Sequence, residues 1–282
     1  MDAPGWTWDE TLYTGSARHY GTGRMPYPPQ LVDAVRDALG LDGSGRLLDV
    51  GCGPGSLTLL LAPLFQEAIG VDADPDMLAE AARRAAGAGL GTTARAVAWR
   101  RLRAEDLPAG LGTFRVATFA QSFHWMDQPL VARRVRAMLE PDGAWVHVHA
   151  TTHRGASGGQ PLPHPHPPWD GIDALVAGYL GPVRRAGRGT LPAGTRGGEE
   201  DVMRQAGFAG PTRLAAGGGR VVDRTADDVV SAVFSLSSSA PHLFAQRLPQ
   251  FEADLRRLLR EASPDGRFCE LTTEIEAVIW RP

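Results

Sequence analysis

The sequence contains no lysine, so that all 29 of its basic side chains are arginine. A GC-rich coding sequence is the simplest source of that bias, and it points to a high-GC bacterium more than to a need for guanidinium chemistry. Positive charge is also short: the formal net charge is -3 over 282 residues, and no basic block interrupts the chain. This argues against a surface built for nucleic acid or anionic lipid. Cysteine is nearly absent. Cys52 and Cys269 are the only two, and Cys52 lies inside a glycine loop where a disulfide would obstruct a ligand, so a reducing cytoplasm is the expected setting. No apolar run approaches membrane-spanning length, and the first residues lack the basic, apolar, small-residue order of a secretory signal. These absences predict a cytoplasmic protein with neither a nucleic-acid nor a membrane partner. Nothing in the sequence speaks to its oligomeric state.

With 43% hydrophobic residues the chain can bury a full core, enough for one large α/β domain carrying insertions. Its organising stretch is Leu47-Leu48-Asp49-Val50-Gly51-Cys52-Gly53-Pro54-Gly55-Ser56, followed by leucines at helical spacing. An apolar run, a glycine turn and a 3.6-residue period read as strand, tight loop and helix. Glycine admits positive φ and close approach of a ligand, and the new helix turns its free N–H groups toward an anion. A dinucleotide fingerprint would run G-x-G-x-x-G, whereas Gly51, Gly53 and Gly55 make a tighter G-x-G-x-G with Ser56 in the expected place of the third glycine. That spacing disfavours a nicotinamide-dependent oxidoreductase.

The next strand, Ala68-Ile69-Gly70-Val71, ends at Asp72. A carboxylate there can accept two hydrogen bonds from vicinal ribose hydroxyls. The competing role for Asp72, capping the next helix, is already filled by Asp74 with Pro75 as first helical residue. A third strand is expected within Ala96–Leu102, leading to the acidic turn Glu105-Asp106, and a fourth over Phe114–Ala120, leading to Gln121-Ser122-Phe123-His124-Trp125. A fifth strand spans Ala144–His149, after a turn at Pro141-Asp142-Gly143.

Leu-Asp-Val-Gly-Cys-Gly-Pro-Gly resembles motif I of the class I S-adenosylmethionine (SAM) dependent methyltransferases, and the resemblance is tight over residues 46 to 149. It implies a doubly wound, Rossmann-like seven-stranded sheet, SAM as cofactor, and methyl transfer to a small-molecule acceptor, of the kind met in bacterial secondary metabolism. It implies further that Asp49 holds the cofactor ammonium or braces the loop amides, and that Ala73 and Met77 wall the ribose and adenine pocket, although Met77 also suits ordinary core. The adenine amino group falls to Asp106 or, second, Glu105, and Gln121 meets the methionine portion through backbone or side chain. His124-Trp125 looks like the His-Trp pair of enzymes resembling trans-aconitate methyltransferase. His124 is the candidate base, or else a positioning ring, while Tyr20 and Trp125 shape the acceptor site.

Residues 1–30 are aromatic and irregular, with Trp6, Trp8, Tyr13, Tyr20 and Tyr27 among glycines and prolines. Tyr13, Tyr20, Arg24 and Pro26-Tyr27-Pro28 resemble the amino-terminal lid of small-molecule methyltransferases, which places Tyr20 among the catalytic residues and Tyr13 and Arg24 at the substrate; a tail merely packed by its rings is the alternative. Residues 31–150 form the SAM-binding core, 151–265 a substrate cap inserted with the sixth strand (within Thr212–Val222), and 266–282 the final strand of the sheet.

A metal site is not expected. His147 and His149 share one face of a strand, with His153, His164 and His166 nearby, but no cysteine or carboxylate stands at paired ligand spacing. Contact with substrate is the expected use of one of these rings. A methyltransferase scaffold that binds SAM yet catalyses a cyclisation or isomerisation is the alternative function.

Overall fold

In the computed structural model, the described residues are 9–88, 96–158, 161–186, 189–191 and 198–282, so Trp6 and Trp8 fall outside them. Helix α1 (Ala17–Gly23) and α2 (Gln30–Leu39) precede β1 (Arg46–Val50). Leu31, Val35 and Leu39, spaced by four, bury one face of α2, and Gly40 ends it at φ 60°. Next come α3 (Ser56–Leu61), β2 (Glu67–Asp72), α4 (Pro75–Gly87), β3 (Ala96–Arg101), β4 (Phe114–Ala120), α5 (Gln128–Met138) and β5 (Leu139–His149). Pro63 shortens α3 as expected, its last turn being a 3₁₀ segment at Ala62–Leu64. The remaining elements are α6 (Trp169–Leu180), β6 (Arg184–Ala186), β7 (Gly189–Leu191), α7 (Glu199–Gln205), β8 (Ala209–Ala216), β9 (Val221–Thr225), α8 (Ala226–Phe234), α9 (Leu248–Ala262), β10 (Arg267–Leu271) and β11 (Ile275–Arg281). Among the described residues no helix is long and apolar enough to cross a membrane.

These elements divide into two compact units. One takes the described residues within 26–151, 197–218 and 273–282; the other takes those within 1–25, 152–196 and 219–272.

The first unit holds a seven-stranded sheet in the order β3-β2-β1-β4-β5-β11-β8. Strands β1 to β5 are parallel and β11 runs antiparallel to both its neighbours. This is the doubly wound α/β sheet that the regular βα alternation calls for. Along β1, Leu48 and Val50 join the core on one face and Leu47 the core on the other. A parallel strand covered on both sides is apolar throughout for this reason. Phe119 and Trp145 stack at 3.7 Å on neighbouring strands and anchor the first core. Pro141-Asp142-Gly143 turns out of the ladder between the pairs Phe114–Leu139 and Val116–Ala144, so the expected turn is an irregularity within β5.

The second unit is built on α6, α8 and α9, whose Ile172, Val233 and Leu255 pack with the stacked rings of Phe244 and Phe251. Helix α1 lies so close to α8 that a Cβ on Gly23 would stand 2.3 Å from the carbonyl carbon of Ser231. Glu270, fully buried, pairs with Arg224 at 3.1 Å and also accepts the Gly155 N–H at 2.8 Å and the Trp169 Nε1–H at 2.7 Å. Arg224 donates in turn to the carbonyls of Gly23 and Asp228. The described residues of the Gly, Pro and His-rich stretch after β5 are therefore tied down by Glu270 and by a bridge from Ala156 to Leu271, with no helix or strand among them.

Two strand expectations divide in the structure. The final alternating run is two strands: β10 pairs with β9 in a separate ribbon, while β11 enters the central sheet. Cys269, Leu271, Ile275, Ala277 and Ile279 keep one parity across the break, so period-2 alternation cannot reveal the change of sheet. The strand expected within Thr212–Val222 likewise separates into β8 and β9 at Gly217-Gly218-Gly219, all three with positive φ.

Removing one partner of a buried ion pair strands the other charge, at a cost of about 3–5 kcal/mol. Arg224→Met is expected to lower unfolding stability by about that amount in denaturant titrations, whereas the double change Arg224→Met with Glu270→Gln costs less than the single one.

Candidate functional site

Strand order reverses between β1 and β4, and the carboxyl ends of β1 to β5 share one edge of the sheet. Ligands of open parallel sheets bind in the crevice at such a reversal. The glycine loop leaves β1 at this point, with Gly51, Gly53 and Gly55 all at positive φ. They serve different ends. A Cβ on Gly51 would lie 2.5 Å from Ser122 Cβ, and one on Gly55 would lie 2.4 Å from the Trp99 ring, so both are required by packing. A Cβ on Gly53 would meet nothing within 4 Å, which leaves open space above the middle of the loop.

Asp72 closes one side of that space. Its Oδ2 accepts the Gly53 N–H at 2.7 Å and its Oδ1 the Asp74 N–H at 2.9 Å, so the carboxylate faces the loop and fixes its shape. Burial raises its pKa from 3.8 to about 6, against the lowering effect of both N–H donors. Asp74 caps α4 by accepting from the N–H groups of Asp76 and Met77, and Pro75 begins the helix. The capping task does sit on Asp74, and Asp72 is left to the loop.

Asp49 is only 1% exposed. Thr58 Oγ1 donates to its Oδ2 at 2.5 Å and Thr118 Oγ1 to its Oδ1 at 2.8 Å, tying β1 to α3 and β4. Burial also raises this carboxyl to about 6. With both oxygens engaged by hydroxyls, Asp49 braces the corner in this structure.

At the acidic turn the two candidates part. Glu105 Oε1 accepts the Asp127 N–H at 2.9 Å and so steadies the loop after β4. Asp106 is exposed. Gln121, at the end of β4, adopts φ 55°, a left-handed conformation uncommon for a side chain of this kind and often found where a site holds the backbone in place. Ser122 Oγ next to it donates to the Val50 carbonyl at 2.7 Å, joining β4 to β1 across the crevice. Ala73 is half-buried at the start of the α4 turn, and Met77 is 3% exposed.

His124 and Trp125 lie in a 3₁₀ turn at Phe123–Trp125, their ring centroids 5.3 Å apart. Burial, and then the neighbouring His149, lower His124 to about 4, so the ring is neutral at physiological pH. His147 and His149 stack at 4.2 Å on β5, and Glu199 Oε2 of α7 lies 3.3 Å from His147 Nδ1. Tyr13, Tyr20 and Arg24 belong to the other unit. There Arg24 lies over the Tyr20 ring and donates to Ser235 Oγ at 2.7 Å, and the Tyr13 carbonyl accepts the Ser16 N–H.

Several supporting residues escaped the sequence reading. Trp99 fills the space beside Gly55 and Gly70, and Arg84 of α4 donates to the Pro54 carbonyl and to Ser56 Oγ, holding the loop from behind. Thr58 and Thr118 were legible only as ordinary helix and strand positions. The paired glycines 55 and 70 were the one signal that a large ring must sit between them.

A carboxyl whose folded pKa exceeds its unfolded value stabilises the fold below the unfolded value and loses that contribution as pH rises through the folded one. Asp72 therefore favours the folded state below pH 3.8 and ceases to do so above about 6. A carbon-detected NMR titration of the ligand-free protein is expected to show its carboxyl changing near pH 6, and a midpoint near 4 would contradict this environment.

Residues 47–143 match the model of a methyltransferase-domain family. An uncharacterized methyltransferase of Mycobacterium tuberculosis is 33% identical over 138 residues, covering 48% of this chain and 51% of that protein. A trans-aconitate 2-methyltransferase of Mycobacterium ulcerans is 30% identical over 143 residues, covering 50% of this chain and 47% of the relative. The chain thus spans about half the length of these curated relatives. The crystal structure of the Bacillus subtilis YcgJ protein aligns with 88% of this chain and 97% of its own at 19% identity and a TM-score of 0.46. Over residues 47–143, then, the chain matches a methyltransferase-domain family, and those residues lie in a doubly wound seven-stranded sheet.

Proposed function

We propose that this protein is a SAM-dependent methyltransferase acting on a small-molecule acceptor. The observation that carries the reading is Asp72, its carboxylate turned toward a glycine loop whose central residue, Gly53, borders open space at the strand-order reversal. The match of residues 47–143 to a methyltransferase domain supports it. The relative named trans-aconitate 2-methyltransferase supports an acceptor of small size.

The residues present fit SAM. In this reading Asp72 accepts hydrogen bonds from the ribose hydroxyls, Asp106 takes the adenine amino group, and Ala73 and Met77 line that end of the pocket. Glu105, committed to the Asp127 N–H, positions the loop instead of meeting adenine. Gln121 offers its strained backbone to the methionine portion, beside Gly51 and Gly53. Asp49 is a positioning residue that acts through Thr58 and Thr118. When bound, SAM supplies a methyl group on a sulfonium, open to in-line attack by a lone pair, with a neutral thioether as leaving group.

The chain's own task is to orient the acceptor and exclude water, an effect worth up to ~7–11 kcal/mol when alignment is near ideal. His124 accepts a hydrogen bond from the nucleophile through its neutral ring, and Trp125 beside it shapes the acceptor site. A ring of such low proton affinity is a weak base, so His124 serves best to aim a lone pair that is already available.

Each hydrogen bond to a charged group contributes ~1.5–3 kcal/mol, which is roughly a ten- to hundredfold effect. Asp72→Ala is expected to weaken S-adenosylhomocysteine binding, measured by calorimetry, at least that much. In contrast, His124→Ala is expected to preserve that binding while lowering turnover of a competent acceptor ~10-fold or more. Unchanged affinity in the first variant removes the cofactor assignment, and unchanged turnover in the second removes His124 from the acceptor site.

A further inference from the structure

The carboxyl end of β5 carries a cluster that the proposed transfer does not use. His147 and His149 project from one face of this strand with ring centroids 4.2 Å apart. Their backbone is held from both sides: His147 pairs with Phe119 of β4 and Val278 of β11, and His149 pairs with Glu276 of β11. Glu199, the first residue of α7, brings Oε2 to 3.3 Å from His147 Nδ1. One donor atom from each of the three residues lies within 4.8 Å of the others.

We propose that His147, His149 and Glu199 form a binding site for a divalent first-row transition ion, with water completing its coordination. Two imidazole nitrogens and one carboxylate oxygen are a donor set suited to zinc, cobalt or ferrous iron, not to magnesium or calcium. In a tetrahedral zinc site with bonds of about 2.0–2.1 Å, neighbouring donors stand roughly 3.3–3.4 Å apart. The His147–Glu199 separation of 3.3 Å meets that edge, and the other separations, no more than 4.8 Å, can close on an ion.

The surroundings support a ligating role. Gln128 Nε2 donates to Glu199 Oε1 at 3.3 Å, the kind of outer hydrogen bond that orients a metal-bound carboxylate. His147 is 4% exposed, with the Phe123 ring set edge-on to it at 5.8 Å, so its side of the cluster is dry. The positive charge nearest in influence to His149 is Arg213, and this is already paired with Glu276 at 2.7 Å and with Glu200. The expectation of no metal rested on the lack of a carboxylate at paired spacing in sequence. Helix α7 supplies one from some fifty residues away.

The site is read from β5 and α7 alone and does not depend on SAM binding, which is measured separately. The full chain, stripped with a chelator, is titrated with Co2+ and with Zn2+, following cobalt visible absorption and calorimetric heat. One Co2+ per chain with the intense bands of a low-coordinate site is expected, displaced by Zn2+. His149→Ala and Glu199→Gln are expected to lower affinity ~100-fold or more, and Gln128→Ala ~10- to 100-fold. Circular dichroism and S-adenosylhomocysteine binding on the same samples report that each variant is folded. His147→Ala joins the set where it folds, and the other two decide the matter where it does not. Absence of stoichiometric Co2+ binding to the unmodified chain overturns the proposal, as does wild-type affinity in folded His149→Ala and Glu199→Gln.

Discussion

The carboxylate of Asp72, gripping the backbone N–H groups of Gly53 and Asp74, is the interaction on which the described site depends. It joins the end of β2 to the loop that leaves β1, and so fixes the corner where the strand order turns back. The cost of this arrangement is a half-buried acid with a raised pKa, one of two such raised acids in the corner. Asp49 supplies the other, set deeper and held by two threonine hydroxyls. One acid shapes the loop and borders its open side; the other keeps the strands beneath from shifting. A positively charged ligand portion would relieve both, since an opposite charge nearby favours ionised carboxylates.

Around this corner, side chains far apart in sequence act as a frame. Ser122 secures β4 to β1, Arg84 holds the back of the loop, and Trp99 packs into the space that Gly55 and Gly70 leave. The strained backbone of Gln121 persists because this frame surrounds it. In the second unit, Glu270 plays a comparable part. It gathers a ribbon, a helix and an irregular stretch around one buried charge pair.

Much of the sheet was legible in sequence because each βα repeat carries its own local signal: an apolar strand, a turn residue, a 3.6-residue period. Asp49 and Asp72 were legible for the same reason, since each follows an apolar run, whereas Asp106 stands in a charged turn beyond β3. What could not be read was pairing over distance. The run ending at Ile279 gave no sign that Leu271 and Ile275 belong to different sheets, because their parity agrees. The contact of Glu105 with Asp127 was not legible, and linking His147 to Glu199 needed the fold itself. Local pattern gives elements and their ends; only packing gives partners.

The central claim is that Asp72 must be ionised to receive a nucleoside. Calorimetry of S-adenosylhomocysteine binding, run near pH 6 and again at pH 8 in buffers of different ionisation enthalpy, tests it directly. Near its pKa a group is half protonated, so about half a proton should be released per binding event near pH 6 and almost none at pH 8. Binding with no proton released at either pH, or no binding at all, would contradict the account.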